Sequence, residues 1–327
     1  MRAGRVEWSL CRRVFLCAAA ILMTACSLAA NIPANKTAEA SRCPAPEPQG
    51  DVKLTGGMFV LGAHPENAEE GPAREVTVKP FSIDRTEVTN AQFTEFVKAT
   101  GYATLAERAP DPKLYPGVPA DQLKPAAIVF VGASGIGAGD PTGWWRLVEG
   151  ASWKNPEGPG SDLKGRENHP VVEIAHEDAL AYARWRGRDL PTEAEWEFAA
   201  RAGLPDSRYE WGDAGPNTPT PRANTWQGVF PAIDAGDDGY KARTAPVGCY
   251  APNAYGLYDM TGNVWEWTKD WYPDGRDDQD PQRQHLIKGG SFLCADNFCA
   301  RYRPSARQGG PPDTGSSHIG FRTVLRQ

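Results

Sequence analysis

From about Pro110 to Pro170 the chain shows neither a helical period nor strand alternation, yet it is dense in glycine, proline and tryptophan, as in PTGWWRLVEGASWKNPEGPGSD. So long an aperiodic stretch is uncommon in a compact domain unless it is disordered or builds a functional wall, and its tryptophans argue against disorder. Two readings stay open: the wall of a binding groove, or a surface loop pinned by tryptophan. The whole sequence shares this character. Its 34 glycines, 29 prolines and 11 tryptophans, with only 23% charged residues, imply much irregular backbone held by large aromatic anchors and little regular structure.

Within that irregular chain, three helices carry start and stop signals. Thr89-Asn90-Ala91-Gln92 has capping-box spacing, Phe93, Phe96 and Val97 share a face, and Gly101 offers a left-handed stop. A second helix is expected over about Glu177 to Arg186, with Ala179, Leu180, Ala183 and Trp185 apolar and Gly187 as stop. The third opens at Thr192, pairs it with Glu195 and ends at Gly203. Strands are expected at MFVLGA, REVTVKPFSID and KGGSFL. The elements describe an α+β chain. No second linker divides it, so the folded part, residues 52–327, is read as one domain.

Ahead of that domain, Arg2, Arg5, Arg12 and Arg13 precede the apolar run VFLCAAAILM, which has the length of a signal-peptide core and is too short for a permanent membrane span. Met23-Thr24-Ala25-Cys26 resembles a bacterial lipobox, which makes residues 1–25 a lipoprotein-type signal peptide and Cys26 a lipid-bearing terminus; cleavage near Ala29 or Ala30 is the alternative. Residues 26–51 read as a polar, proline-rich tether. The expected location is periplasmic. A formal charge of −6 without a basic patch excludes nucleic acid as a natural partner.

Cys294 and Cys299 carry the chemistry. An odd separation puts two side chains on opposite faces of a strand, and five residues rotate them apart on a helix, so their sulfurs meet only across a turn. Spacing alone allows a structural disulfide, a redox couple or a site for a soft metal such as Cu(I).

Several stretches, FSIDRTEVTNAQFTEFVKATGY, WKNPEGPGSDLKGRENHPVVEI, RDLPTEAEWEFAARAG, NTWQGVFP, GLYDMTGNVWEWTKDWY, KGGSFLCADNFCARYRPSAR and HIGFRTV, together resemble the formylglycine-generating enzymes, or sulfatase-modifying factors, from about Leu54 to Val324. The resemblance implies that family's C-type-lectin-related fold in a single compact domain. It further implies O2-dependent oxidation of the cysteine in a Cys-x-Pro-x-Arg segment of an unfolded sulfatase to Cα-formylglycine. Cys294 and Cys299 would be the Cu+ ligands, the substrate thiolate the third, and Ser291 a catalytic hydroxyl. Ala295 stands where many relatives have His, and Pro304 where animal enzymes have a disulfide cysteine, which points to the bacterial branch.

Two structural Ca2+ sites are also implied. The first takes Asn224 and Asp238 with the carbonyls of Thr225 and Tyr240; the second takes Asp259 and Glu266 with the carbonyls of Gly262 and Val264. Cys43 and Cys249 are free to pair with each other, a point left open. The five histidines, His64, His169, His176, His285 and His318, have no metal-site spacing and read as core or surface residues. The protein is expected to act as a monomer. Alternatives are a same-fold enzyme acting on another periplasmic target, such as a siderophore precursor, or a non-catalytic binding module.

Overall fold

A computed structural model describes residues 43, 50–133, 141–216, 220–277, 280 and 283–327. The export segment 1–25, Cys26 and nearly all of the tether 26–51 lie outside the described residues. Among the described residues there are thirteen short strands: β1 (Asp51–Leu54), β2 (Gly57–Leu61), β3 (Arg74–Val78), β4 (Phe81–Asp84), β5 (Ala126–Phe130), β6 (Trp145–Glu149), β7 (Gly228–Val229), β8 (Ile233–Asp234), β9 (Trp265–Trp271), β10 (His285–Lys288), β11 (Gln308–Gly310), β12 (Ile319–Gly320) and β13 (Val324–Arg326). They form an antiparallel β1-β4-β13 sheet, a β11-β10-β9-β12 sheet in which only β12 runs parallel to its neighbour, and the hairpins β2-β3, β5-β6 and β7-β8. The described fold is thus α+β with sparse regular structure, as the glycine and proline content requires.

Among the described residues three α-helices join them: α1 (Asn90–Thr100), α2 (His176–Trp185) and α3 (Glu193–Arg201). Thr89 and Gln92 close a capping box at α1, and Gly101 ends it at φ 68°. Thr192 and Glu195 do the same at α3, whose left-handed stop is Ala202, one residue before Gly203. In α2 the expected apolar face is rotated. Tyr182, Ala179 and Ala183 are buried while Trp185 is 40% exposed, because Tyr182 is the side chain that reaches the aromatic core. There Phe93 stacks on Tyr182 at 5.9 Å and meets Trp153 edge-on at 5.1 Å. The proline in REVTVKPFSID splits that run into β3 and β4.

KGGSFL is not a strand. Only Lys288 belongs to β10, since Gly289 and Gly290 take φ of 98° and 77° and turn the chain out of the sheet. A Cβ on Gly290 would lie 2.8 Å from the Tyr302 backbone, so only glycine permits that turn.

Arg322, between β12 and β13, is the polar centre of this body. Its Nε and Nη2 each donate to Glu266 at 2.7 Å, Nη2 also reaches the Tyr258 carbonyl at 3.0 Å, and Nη1 reaches the carbonyls of Asp84 and Arg85 at 3.3 Å. Trp196 of α3 donates to the same Glu266 at 2.8 Å. Both charged side chains are wholly buried. A second buried acid, Glu173, is the opposite case: it sits at φ 59° with both carboxylate oxygens unpartnered.

Removing one partner of a buried, hydrogen-bonded ion pair strands the other charge. Arg322→Ala should therefore cost about 3–5 kcal/mol of unfolding free energy by denaturant titration. Burial raises the Glu173 pKa well above its ordinary 4.5. The native state then holds that proton more tightly than the unfolded state, and stability is lost as pH rises through the interval. Glu173→Gln should stabilise the protein, with a gain that grows as the pH rises above 4.5; a pH-independent difference would contradict this.

Candidate functional site

The segment after β10 is built to bring two sulfurs together. Following the Gly289-Gly290 turn, Ser291 to Cys294 forms a tight bend, with the Cys294 amide donating to the Ser291 carbonyl at 2.9 Å. Ala295 and Phe298 then exchange backbone hydrogen bonds at 2.9 and 3.1 Å across Asp296-Asn297. Cys299 and Ala300 follow at φ 72° and 45°, a left-handed pair that costs non-glycine residues energy and folds Cys299 back toward Cys294. The two sulfurs touch as a bonded pair, with Cα atoms 5.1 Å apart. This is the turn that an odd spacing demands.

Ion pairs behind the turn hold it. Arg301 meets Glu69 at 2.7 Å, Arg303 meets Glu70 at 2.6 Å, and Arg307 is clamped on Glu193 while its Nη1 donates to the Glu69 carbonyl at 2.8 Å. Buried Lys288 reaches Glu197 at 3.1 Å on the same side. On the other flank the Trp226 amide donates to the Cys294 carbonyl at 3.0 Å.

The cysteine pair opens on a cleft of about 390 Å³. Its apolar wall is Ile128, Trp145, Trp265, Ile287, Leu293, Phe298, Pro311 and Ile319; its polar groups are Ser291, Arg301, Gln308, Thr314, Ser316 and His318. Ile128 and Trp145 come from β5 and β6, so the aperiodic 110–170 stretch does supply part of a groove wall, while its Trp153 goes to the core. No carboxylate lines the cleft among the described residues. The cysteines differ in access: Cys294 is 1% exposed and Cys299 half-buried. Ser291 is fully buried at the cleft wall, and its Oγ accepts the Leu293 amide at 3.3 Å, in a turn and not in a strand.

The residues read as a first calcium site do gather. Asp238 accepts the Thr225 and Tyr240 amides at 3.2 and 2.9 Å, and desolvation pushes its pKa up to about 6. The Oδ1 of Asn224 and the Oγ1 of Thr225 are buried without partners, as ligand oxygens awaiting a cation would be. At the second, Asp259 accepts the Gly248 amide at 2.6 Å and burial raises its pKa to about 6, while Glu266 is already engaged by Arg322. Two acids absent from the sequence reading join them: Glu87, raised well above its usual range by burial, and Glu210, raised to about 8. Glu210 lies beside the Thr261 hydroxyl and Glu87 beside Asp259, with no closely aligned hydrogen bond at Glu87 Oε2, Glu210 Oε2 or Thr261 Oγ1. Burial and their neighbouring acids hold Glu87 and Glu210 toward the protonated form, and a divalent cation at this place would instead favour their charged form. Among the described residues no three acidic, histidine or cysteine side chains converge tightly enough to hold an ion alone, so a cation at either place would need Asn224 or backbone carbonyls as further ligands.

Cys43 and Cys249 form a disulfide, capped by the Tyr240 hydroxyl at 2.9 Å from the Cys43 sulfur. Three histidines are satisfied core groups. His169 bonds Thr244 at 2.9 Å and His176 bonds the Thr268 carbonyl at 2.9 Å; His176 also stacks on His285, centroids 3.4 Å apart, and their pKa values are lowered to about 3 and 4, chiefly by burial. His318 departs from the core-or-surface expectation, because it lines the cleft beside the cysteines. The only sequence signal for it was its place directly before Ile319-Gly320-Phe321-Arg322.

Residues 36–327 match the sulfatase-modifying factor enzyme 1-like domain. Over 290 residues the chain is 48% identical to the formylglycine-generating enzyme of Mycobacterium tuberculosis, covering 84% of this chain and 96% of that one. It is also 42% identical over 277 residues to the inactive C-alpha-formylglycine-generating enzyme 2 of Bos taurus, covering 83% and 86%. Among solved structures, PvdO from Pseudomonas aeruginosa aligns with a TM-score of 0.57 at 26% identity, covering 85% of this chain and 94% of that one.

With the cysteine pair reduced, iodoacetamide should label Cys299 before Cys294, at a rate greater by about tenfold or more, since thiolate reactivity follows access. Peptide mass spectrometry reads the order; equal rates would contradict the geometry.

Proposed function

The chain belongs to the sulfatase-modifying, formylglycine-generating family, and from that premise we propose that it oxidises the cysteine of a Cys-x-Pro-x-Arg segment in an unfolded sulfatase to Cα-formylglycine. The observation that carries this reading is the contact of Cys294 and Cys299 at an open cleft large enough for an extended peptide. Family membership alone does not, because relatives of similar identity include one named inactive.

The donor set suits copper(I). Two soft sulfurs stand together with no competing carboxylate in the cleft among the described residues, and a substrate thiolate would complete a three-sulfur site. Copper bound there would supply the one-electron chemistry that O2 requires. The chain's own residues do the rest. The arginine clamps fix the cysteines' position, Trp145, Phe298 and Ile319 exclude water, and Ser291 offers a hydroxyl for a proton or an oxygen at the buried end. Ala295 is fully buried and apolar, so proton transfer next to Cys294 falls to Ser291 or water. The two calcium sites are structural in this proposal, joining loops where strands and helices do not. The export segment and Cys26 extend it to a monomeric periplasmic enzyme anchored through a lipid.

The rival reading, a same-fold enzyme for a different target, is favoured by the likeness to PvdO. Incubation of the reduced, copper-loaded protein with a Cys-x-Pro-x-Arg peptide and O2 separates the two by mass spectrometry. Conversion to the aldehyde is expected, with Cys294→Ser or Cys299→Ser at background; no mass change in the unsubstituted protein would favour the rival. Calcium chelation should lower the Tm by about 5 °C or more, restored by added Ca2+, as expected for an ion bound only by the folded state. Asp238→Asn should reduce that calcium-dependent shift.

A further inference from the structure

One polar side chain in the cleft has a free end that the reaction as proposed does not use. The stretch 315–318 is stitched to β5 on both sides: the Ile128 amide donates to the Gly315 carbonyl at 2.9 Å and the Ser317 amide to the Ile128 carbonyl at 3.0 Å. The Trp265 amide takes the His318 carbonyl at 2.9 Å. Two sheets therefore fix the His318 backbone. Its ring is fixed as well, with Nδ1 at 2.7 Å from Ser316 Oγ and the plane tilted against Trp145 at a centroid distance of 4.6 Å. Among the described residues nothing bonds to Nε2, and the ring lines the same cleft as Cys294 and Cys299.

The protonation state follows from the surroundings. Desolvation lowers the His318 pKa to about 3, so the imidazole is neutral wherever the protein is folded and active, and carries one N–H. The Ser316 hydroxyl can donate to Nδ1, and in that tautomer the imidazole proton lies on Nε2, the nitrogen left for a ligand. An extended peptide entering a largely apolar cleft loses the water on its carbonyls and needs donors in exchange. Among the described residues the cleft offers donors and no carboxylate.

We propose that His318 is a peptide-binding residue, its Nε2–H donating to a backbone carbonyl of the bound segment beside the reacting cysteine. The inference rests on the sulfatase-peptide reading above. It is tested on the full-length protein by fluorescence anisotropy with a labelled Cys-x-Pro-x-Arg peptide whose cysteine is replaced by serine, which binds but cannot be oxidised. His318→Phe keeps a ring against Trp145 and loses the donor, whereas His318→Asn keeps a donor. Loss of one such bond should weaken Kd about tenfold for His318→Phe, with His318→Asn within about threefold of the parent. Equal Kd for the parent and His318→Phe, an Asn variant as weak as the Phe variant, or no binding by the parent would overturn the proposal. Binding that depends on His318 without any oxidation by the parent would support His318 and sink the oxidase reading instead.

Discussion

The fold depends on one buried charge. Arg322 satisfies its guanidinium on Glu266 and on carbonyls from Asp84, Arg85 and Tyr258, which belong to β4, to the turn after it and to the loop before β9. Backbone with so little regular structure leaves many carbonyls without ladder partners, and a five-donor planar group can collect several at once. Glu266 in turn accepts the Trp196 indole, which draws α3 onto β9. Helix, two sheets and an irregular loop thus share one neutralised pair, and the cleft is assembled on top of it.

The same device recurs where the chemistry lies. Arg301, Arg303 and Arg307 lie along the segment that follows Cys299 and land on Glu69, Glu70 and Glu193. These acids come from a short helical turn early in the chain and from α3, so the cysteine turn is held by elements more than a hundred residues away in sequence. A turn carrying two left-handed non-glycine residues needs such over-determination to persist. Surplus acid collects elsewhere, around Asp259 and Glu87, where burial alone would disfavour it.

Local signals were readable and long-range ones were not. Thr89 with Gln92 and Thr192 with Glu195 announce their helices because a capping box is a four-residue event. The need for a turn between Cys294 and Cys299 follows from side-chain period alone. By contrast, Lys288-Gly289-Gly290-Ser291 has strand-like neighbours, and only the closeness of Tyr302 explains why its glycines break the sheet. Glu87 and Glu210 have no local mark at all, since their partners Asp259 and Arg322 are distant in the chain. His176 and His285 looked scattered for the same reason, yet they stack face to face. His318 was read as unremarkable because its meaning comes from Ser316, Trp145 and a cleft assembled from five parts of the sequence.

The bond between Cys43 and Cys249 has a mechanical consequence. β1 begins at Asp51, just beyond Cys43, and pairs on one side only, with β4, so it is the strand that a pull on the leading segment would peel away first. The disulfide diverts that load. Tension reaching Cys43 passes covalently into the loop around Cys249, whose neighbour Gly248 is fastened to Asp259 in the interior. A pull applied ahead of Cys43 would thus load the interior through Cys249 before it reached the edge strand.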